Sequence, residues 1–270
     1  MRRRADFSGE VSPTIAALAA LAAIFVVAPL PIIVLSALSR GNYRLLQGGV
    51  PTLRWFVAFV QNDRFMAALG NSLAIAAITT AATLLIALPT AVVVLRSRLP
   101  GRRALLGLVT LPQLVPGVII GTAALSFVAQ TGIGPGFWPI TVAMVCASLP
   151  LAMRPLVASL AGLDPDGEKA ARNLGASALQ SFVLVTLPQL VPGLLAAGTF
   201  AFIEAIDNFS IAAFLTDIDT TTLPVEAYSY IRDIDDPTVA AMATLLILLS
   251  LVIVLLLDRL LGLDRFLDIA

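Results

Sequence analysis

Five long stretches of this chain carry no charged residue: 11–39, 65–95, 104–153, 173–203 and 237–257. Each reaches or exceeds the roughly 20 residues that an α-helix needs to cross a bilayer. With 59% of its residues hydrophobic, 13% charged and a mean hydropathy of +0.95, the chain has too little polar surface for a soluble domain. The solvent for most of it is lipid. The third stretch is 50 residues long and is broken by the helix-ending cluster Gly132-Ile-Gly-Pro-Gly136, which divides it into two spans. The fourth has to run on through Glu204 and Asp207 to about Thr216. The expectation is an all-α, polytopic membrane protein in a single domain, with six transmembrane helices at about 13–38, 66–95, 105–130, 137–160, 187–216 and 238–257.

The first span follows Arg2-Arg3-Arg4 and superficially resembles a secretory signal. It is longer than the roughly 7 to 15 apolar residues of such signals, and it continues through Pro29 and Pro31. It reads as an uncleaved helix with a proline kink. Basic residues in short loops favour the cytoplasm. With the N-terminus inside, twelve of the seventeen lie there: Arg2, Arg3, Arg4, Arg96, Arg98, Arg102, Arg103, Arg154, Lys169, Arg172, Arg259 and Arg265. Arg40, Arg44, Arg54, Arg64 and Arg232 lie on the other side. Both termini are therefore expected in the cytoplasm.

Several chemistries drop out. Lys169, the only lysine, sits in Gly167-Glu-Lys-Ala170 and not in the G-x-x-x-x-G-K-[ST] loop that cradles phosphates. The chain has no histidine and one cysteine, Cys146, in an apolar run, which excludes imidazole catalysis, a His-ligated metal and an intrachain disulfide. No cofactor is expected, and balanced charge gives no sign of nucleic-acid binding. An intramembrane hydrolase lacks its Gly-x-Ser-x-Gly motif.

An octapeptide occurs twice: Thr110-Leu-Pro-Gln-Leu-Val-Pro-Gly117 returns as Thr186-Leu-Pro-Gln-Leu-Val-Pro-Gly193. Proline suits a first helical turn, so the copies read as two equivalent helix entries on the cytoplasmic face. A duplicated binding motif is the other reading.

Between the fourth and fifth spans, residues 164–186 read as two short helices joined at a glycine. Asp164 can cap the first, Asp166 and Glu168 complement its N-terminal dipole, and Gly175 ends it by accepting a left-handed backbone. Lys169-Ala170-Ala171, three residues, Gly175, nine residues and Val185-Thr186-Leu187-Pro188 resemble the signature loop of permeases in binding-protein-dependent ABC importers. That pattern is E-A-A, three residues, G, nine residues, I-x-L-P. Lys169 stands where the family usually has glutamate, and Glu168 is one position early. The resemblance implies the MetI-like permease fold and a cytoplasmic coupling helix made by Glu168, Lys169, Ala170, Ala171, Gly175, Leu187 and Pro188. It also implies a separate ATPase subunit dimer, a sister permease and an external substrate-binding protein in a bacterial inner membrane. Asn71-Ser72-Leu73, Gly175-Ala176-Ser177, Ile206-Asp207-Asn208, Thr222-Leu223-Pro224, Tyr228-Ser229 and Ala243-Thr244 resemble the spermidine/putrescine-type permeases, specifically the second of their two permease subunits. Polyamine cargo follows from that resemblance, with thiosulfate, ferric iron or phosphonate as alternatives.

Glu204 and Asp207 stand at i and i+3 beside Asn208, so the three are expected on one helix face. A carboxylate at bilayer depth costs roughly 2.5 to 3.5 kcal/mol on insertion scales and faces a pathway or a partner. Two readings follow: a translocation route offering transient counter-charge to a cation, or a polar lock to the sister subunit. A proton-coupled secondary transporter could also use the pair, but would have no reason to keep the signature spacing. The external acidic residues Asp217, Asp219, Glu226, Asp233, Asp235 and Asp236 either dock a binding protein or gather cations, or form an ordinary solvated loop.

Overall fold

The computed structural model describes residues 13–41, 51–234 and 236–261, and among these every regular element is helical. Arg2, Arg3, Arg4, Arg44, Asp235 and Arg265 lie outside the described residues. The chain runs through α1 (Pro13–Val27), α2 (Pro29–Ala37), α3 (Arg54–Val60), α4 (Asp63–Arg96), α5 (Arg102–Thr110), α6 (Gly117–Thr131) and α7 (Phe137–Ala161). It continues with α8 (Asp166–Asn173), α9 (Ala178–Ser181), α10 (Leu187–Asp207), α11 (Phe209–Leu215), α12 (Leu223–Asp233) and α13 (Thr238–Leu261).

Among the described residues, Pro13–Ala37, Asp63–Arg96, Phe137–Ala161 and Ala178–Asp207 are each long and apolar enough to cross a membrane. Two of the expected spans take another form. The segment expected at 105–130 is a broken pair, Arg102–Leu114 and Gly117–Thr131, bent by 101°. Val115 between them is extended, with φ −98° and ψ 126°, because the residue before a proline is disfavoured in the α region. The helix expected to reach Thr216 ends at Asp207, where Asn208 leaves helical geometry at φ −75° and ψ 88° and α11 starts afresh.

α4, α7 and α10 pack on one another as the centre of the molecule. Lipid tails are as apolar as leucine, so helices in a bilayer associate through close contact and not through escape from water. Small residues provide that contact: Ala87, Ala91, Ala152, Ala197 and Ala201 are buried to within 1%. At Gly193 of α10 an added Cβ would stand 2.5 Å from the Ser159 Cβ of α7. α6 meets α11 in the same way, since a Cβ on Gly121 would stand 2.8 Å from Phe214 and 3.1 Å from the Ser210 carbonyl oxygen. The exterior of the chain carries large apolar side chains such as Leu85, Phe127 and Trp138, each more than 60% exposed.

Polar ties close the end opposite α8. Asn71 of α4 donates to the Asp219 and Thr221 carbonyls at 2.9 and 3.1 Å, and its neighbour Ser72 accepts the Leu223 amide at 2.8 Å. Asn71-Ser72 and Thr222-Leu223-Pro224, two short matches about 150 residues apart in sequence, therefore hold each other. Two of the acidic residues bond locally: Asp217 accepts the Asp219 and Thr220 amides, and Asp236 accepts the Tyr230 hydroxyl and the Thr238 amide.

Gly193→Ala should cost about 1–3 kcal/mol through overpacking against Ser159. A lowered thermal midpoint of the detergent-solubilised protein would report it. Gly107→Ala, whose Cβ meets nothing within 4 Å, should leave the midpoint in place.

Candidate functional site

The break at Asn208 builds the first part of the site. The Asn208 Oδ1 accepts the Ile211 amide at 3.0 Å, capping α11, while its Nδ2 donates to Glu204 Oε1 at 2.8 Å. Glu204 and Asp207 stay one turn apart on α10, but Asn208 is off the helix, so the expected common face of three residues is corrected to a helix face plus a cap. Both carboxylates line an open cavity of about 450 Å³ together with Gln113, Gly117, Asn208 and Ser210. Asp207 is exposed into it and Glu204 is half-buried. Among the described residues no basic side chain pairs with either carboxylate. Gln113 reaches the cavity where the 101° bend lays the first octapeptide copy against α7, and Arg154 of α7 donates to its Oε1 at 2.9 Å.

The octapeptide copies are thus not equivalent entries. In the first, Leu111–Leu114 is a 3₁₀ turn and Gly117 opens a helix against Ser210, its Cβ position 3.1 Å away. The second stays helical, with Pro188 in the first turn of α10 and Pro192 inside it.

The second part of the site is the segment that carries the signature spacing. α8 has Asp166 and Glu168 in its first turn and Arg172 in its last, each placed to favour the helix dipole. Asp164 Oδ1 accepts the Asp166 amide at 2.9 Å. Gly175 takes φ +94°, and the bonds Gly175 N to Arg172 O and Ala176 N to Ala171 O form a Schellman ending that a residue with a Cβ would strain. A capping box between Ser177 and Gln180 starts α9. α9 is not free-standing: it passes through a π turn at Phe182–Thr186 into α10, making Ala178–Asp207 one run of 30 residues.

Within this segment the two neighbouring charges face opposite ways. Lys169 is 67% exposed and bonds Asp166 at 2.7 Å, which raises its pKa. Glu168 is 16% exposed and accepts from Arg96 Nη1 at the end of α4, from Thr186 Oγ1 at 3.0 Å and from Arg172 Nη2 at 3.1 Å. Burial by itself pushes the Glu168 carboxyl up. The Thr186 bond, the Arg96 charge and the bonds from Arg96 and Arg172 together outweigh it and hold the group below the usual glutamate range. Ala170, Gly175 and Pro188 are exposed, and Ala171 and Leu187 are half-buried. Sequence reasoning missed Arg96 and Thr186 as members of this cluster; Thr186 stood in the motif as its variable position, and Arg96 lies 72 residues from Glu168.

Apolar helices long enough to cross a membrane, an open cavity between them and a segment with the signature spacing are features of a membrane transport subunit, and the comparisons give its family. Residues 83–263 match the family described as "Binding-protein-dependent transport system inner membrane component", and the chain belongs to that family, as a multi-pass inner-membrane permease of ABC importers. It is 26% identical over 228 residues to the spermidine/putrescine transport system permease protein PotC of Haemophilus influenzae, covering 84% of this chain and 88% of that one. To the putrescine transport system permease protein PotI of Escherichia coli K12 it is 30% identical over 231 residues, covering 83% and 82%. Its fold resembles that of a chain in the bacterial alginate ABC transporter in complex with an alginate pentasaccharide-bound periplasmic protein, with a TM-score of 0.66 at 16% identity and 94% of each chain covered.

Because the folded pKa of Glu168 is depressed, its contribution is complete above the ordinary glutamate range and is lost as pH falls through its lowered value. Hydrogen exchange of the α8 and π-turn amides, corrected for intrinsic rates, should show protection falling on acidification through that range. Glu168→Gln should flatten this dependence.

Proposed function

We propose that this chain forms one half of the pathway of an ATP-driven importer for a small organic cation of the polyamine type. The observation that carries this reading is the pair Glu204 and Asp207, two carboxylates without a basic partner among the described residues, on the wall of an open cavity in an apolar helix bundle. Such a wall attracts a cation and repels an anion, which favours a polyamine over thiosulfate or phosphonate. Two relatives carry spermidine/putrescine or putrescine in their names. The cavity opens at the surface of the single chain, consistent with a sister permease closing its other side.

ATP hydrolysis belongs to a separate pair of ATPase subunits, since this chain has no phosphate-binding loop. The coupling helix is α8: it presents Lys169 and Ala170 outward and ends at Gly175, and α10 begins at Leu187 and Pro188. N- and C-termini lie in the cytoplasm on the balance of basic residues, so α8 faces the ATPase and the loop from Thr216 to Thr222 faces a substrate-binding protein, the kind of partner with which the alginate transporter was solved.

Neutralising the wall with Glu204→Gln and Asp207→Asn should reduce uptake on the order of tenfold or more, since each charge-assisted contact contributes about 1.5 kcal/mol or more. Recovery of the assembled complex should be unchanged; loss of assembly would assign the pair to the subunit interface instead. Uptake should be stopped by vanadate and not by an uncoupler, and Gly175→Val, which strains the left-handed turn by roughly 1–2 kcal/mol, should stop it while leaving the chain inserted.

A further inference from the structure

The cluster around Glu168 has a direction that the signature spacing does not reveal. Its carboxylate points into the permease: Oε2 takes Arg96 from the end of α4 and Thr186 from the π turn, and Oε1 takes Arg172. Two more contacts seat α8 on α9 and the π turn that lead into α10. Ser181 Oγ donates to the Glu168 carbonyl at 3.4 Å, and Gly167 lies so close to Val185 that a Cβ there would stand 3.3 Å from its Cγ1. Ser181 and Thr186 are buried, at 0% and 2% exposure. The residue at the first motif position, Lys169, touches none of this and faces outward.

We propose that Glu168 is the positioning residue that locks the coupling helix to α4 and α10 through Arg96 and Thr186, so that a push on α8 moves both helices as one body. This rests on the reading of α8 as the coupling helix. In this chain Glu168 and Thr186 are 18 residues apart, and the Schellman turn at Gly175, the capping box and the π turn within that interval bring the hydroxyl under the carboxylate. The π turn is part of the device, because its wider winding shifts the register of the residues after it and delivers Thr186 to the buried side. α4 and α10 are also the helices that pack on α7 in the centre, and α10 carries Glu204 and Asp207. A displacement at α8 therefore reaches the cavity wall through a continuous helix and not through a loop.

The test uses the full complex with its ATPase and binding protein in proteoliposomes, measuring substrate taken up per ATP hydrolysed. Glu168→Gln keeps the shape and one acceptor but removes the charge, and should lower that ratio about tenfold, the effect of losing one charge-assisted bond. Arg96→Glu should do the same. The exchanged pair, Arg96→Glu with Glu168→Arg, should recover at least part of the ratio. An unchanged ratio in Glu168→Gln, or an exchanged pair no better than either single change, would overturn the lock; the exchanged pair decides if Glu168→Gln does not assemble. The reading beneath it is checked separately in an otherwise wild-type chain: Lys169→Cys, with Cys146→Ala, should crosslink to the ATPase subunit. Absence of that crosslink removes the coupling-helix assignment, whereas a crosslink combined with an unchanged ratio removes only the lock.

Discussion

A backbone amide or carbonyl left unpaired in hydrocarbon costs several kcal/mol, so each departure from helix at membrane depth needs a local partner. The molecule's shape follows from where such partners exist. α10 can stop at Asp207 because the Asn208 side chain closes the next helix and bonds back to Glu204. The chain can turn by 101° after Leu114 because Pro116 has no amide to satisfy and the Val115 amide bonds Pro112. Between α6 and α7, the Gly136 amide finds the Leu215 carbonyl at 2.7 Å. The first two of these breaks bound the cavity, so the constraint that makes the chain helical also leaves the site at the places where helix is interrupted.

Packing decides which helices form the frame around those interruptions. The contact surfaces of α4, α7 and α10 combine alanines and a glycine, which let backbones approach, with buried Met153, Leu156 and Leu190, which fill the space between them. Carboxylates on such a frame are held in place by their helix and are not neutralised by it. Glu204 spends one oxygen on Asn208, and Asp207 remains open to the cavity. Glu168 shows the opposite treatment: three donors from three elements surround it and tie α8 to α4 and the π turn. The acid on the wall and the acid in the joint belong to the same residue class and differ only in their neighbours.

Much of this was legible in the chain. The apolar windows located the long helices, and Gly175 with its flanking residues announced a helix end that the backbone makes with a Schellman turn. The acidic pair at i and i+3 stood out as a candidate site because charge is rare in such surroundings. What was not legible were pairings across long sequence separations. Nothing local connects Arg96 with Glu168, or Asn71 with the Asp219 carbonyl, and the short matches at Asn71-Ser72 and Thr222-Leu223-Pro224 gave no hint that they touch.

The duplicated octapeptide separates the two kinds of information most cleanly. By itself the sequence determined that both copies lie near a helix start, because proline suits a first turn and breaks what precedes it. It could not determine the conformation, since identical residues have identical propensities. In one copy Gly117 rests on Ser210 and Gln113 accepts from Arg154, which holds a 3₁₀ turn and a sharp bend; in the other Gly193 presses on Ser159 and Thr186 reaches Glu168, which holds the helix continuous. Propensity differences of a few tenths of a kcal/mol are easily overruled by packing contacts and charge-assisted bonds of one kcal/mol or more, so the neighbours, and not the eight residues, chose between a bent cavity wall and a continuous helix.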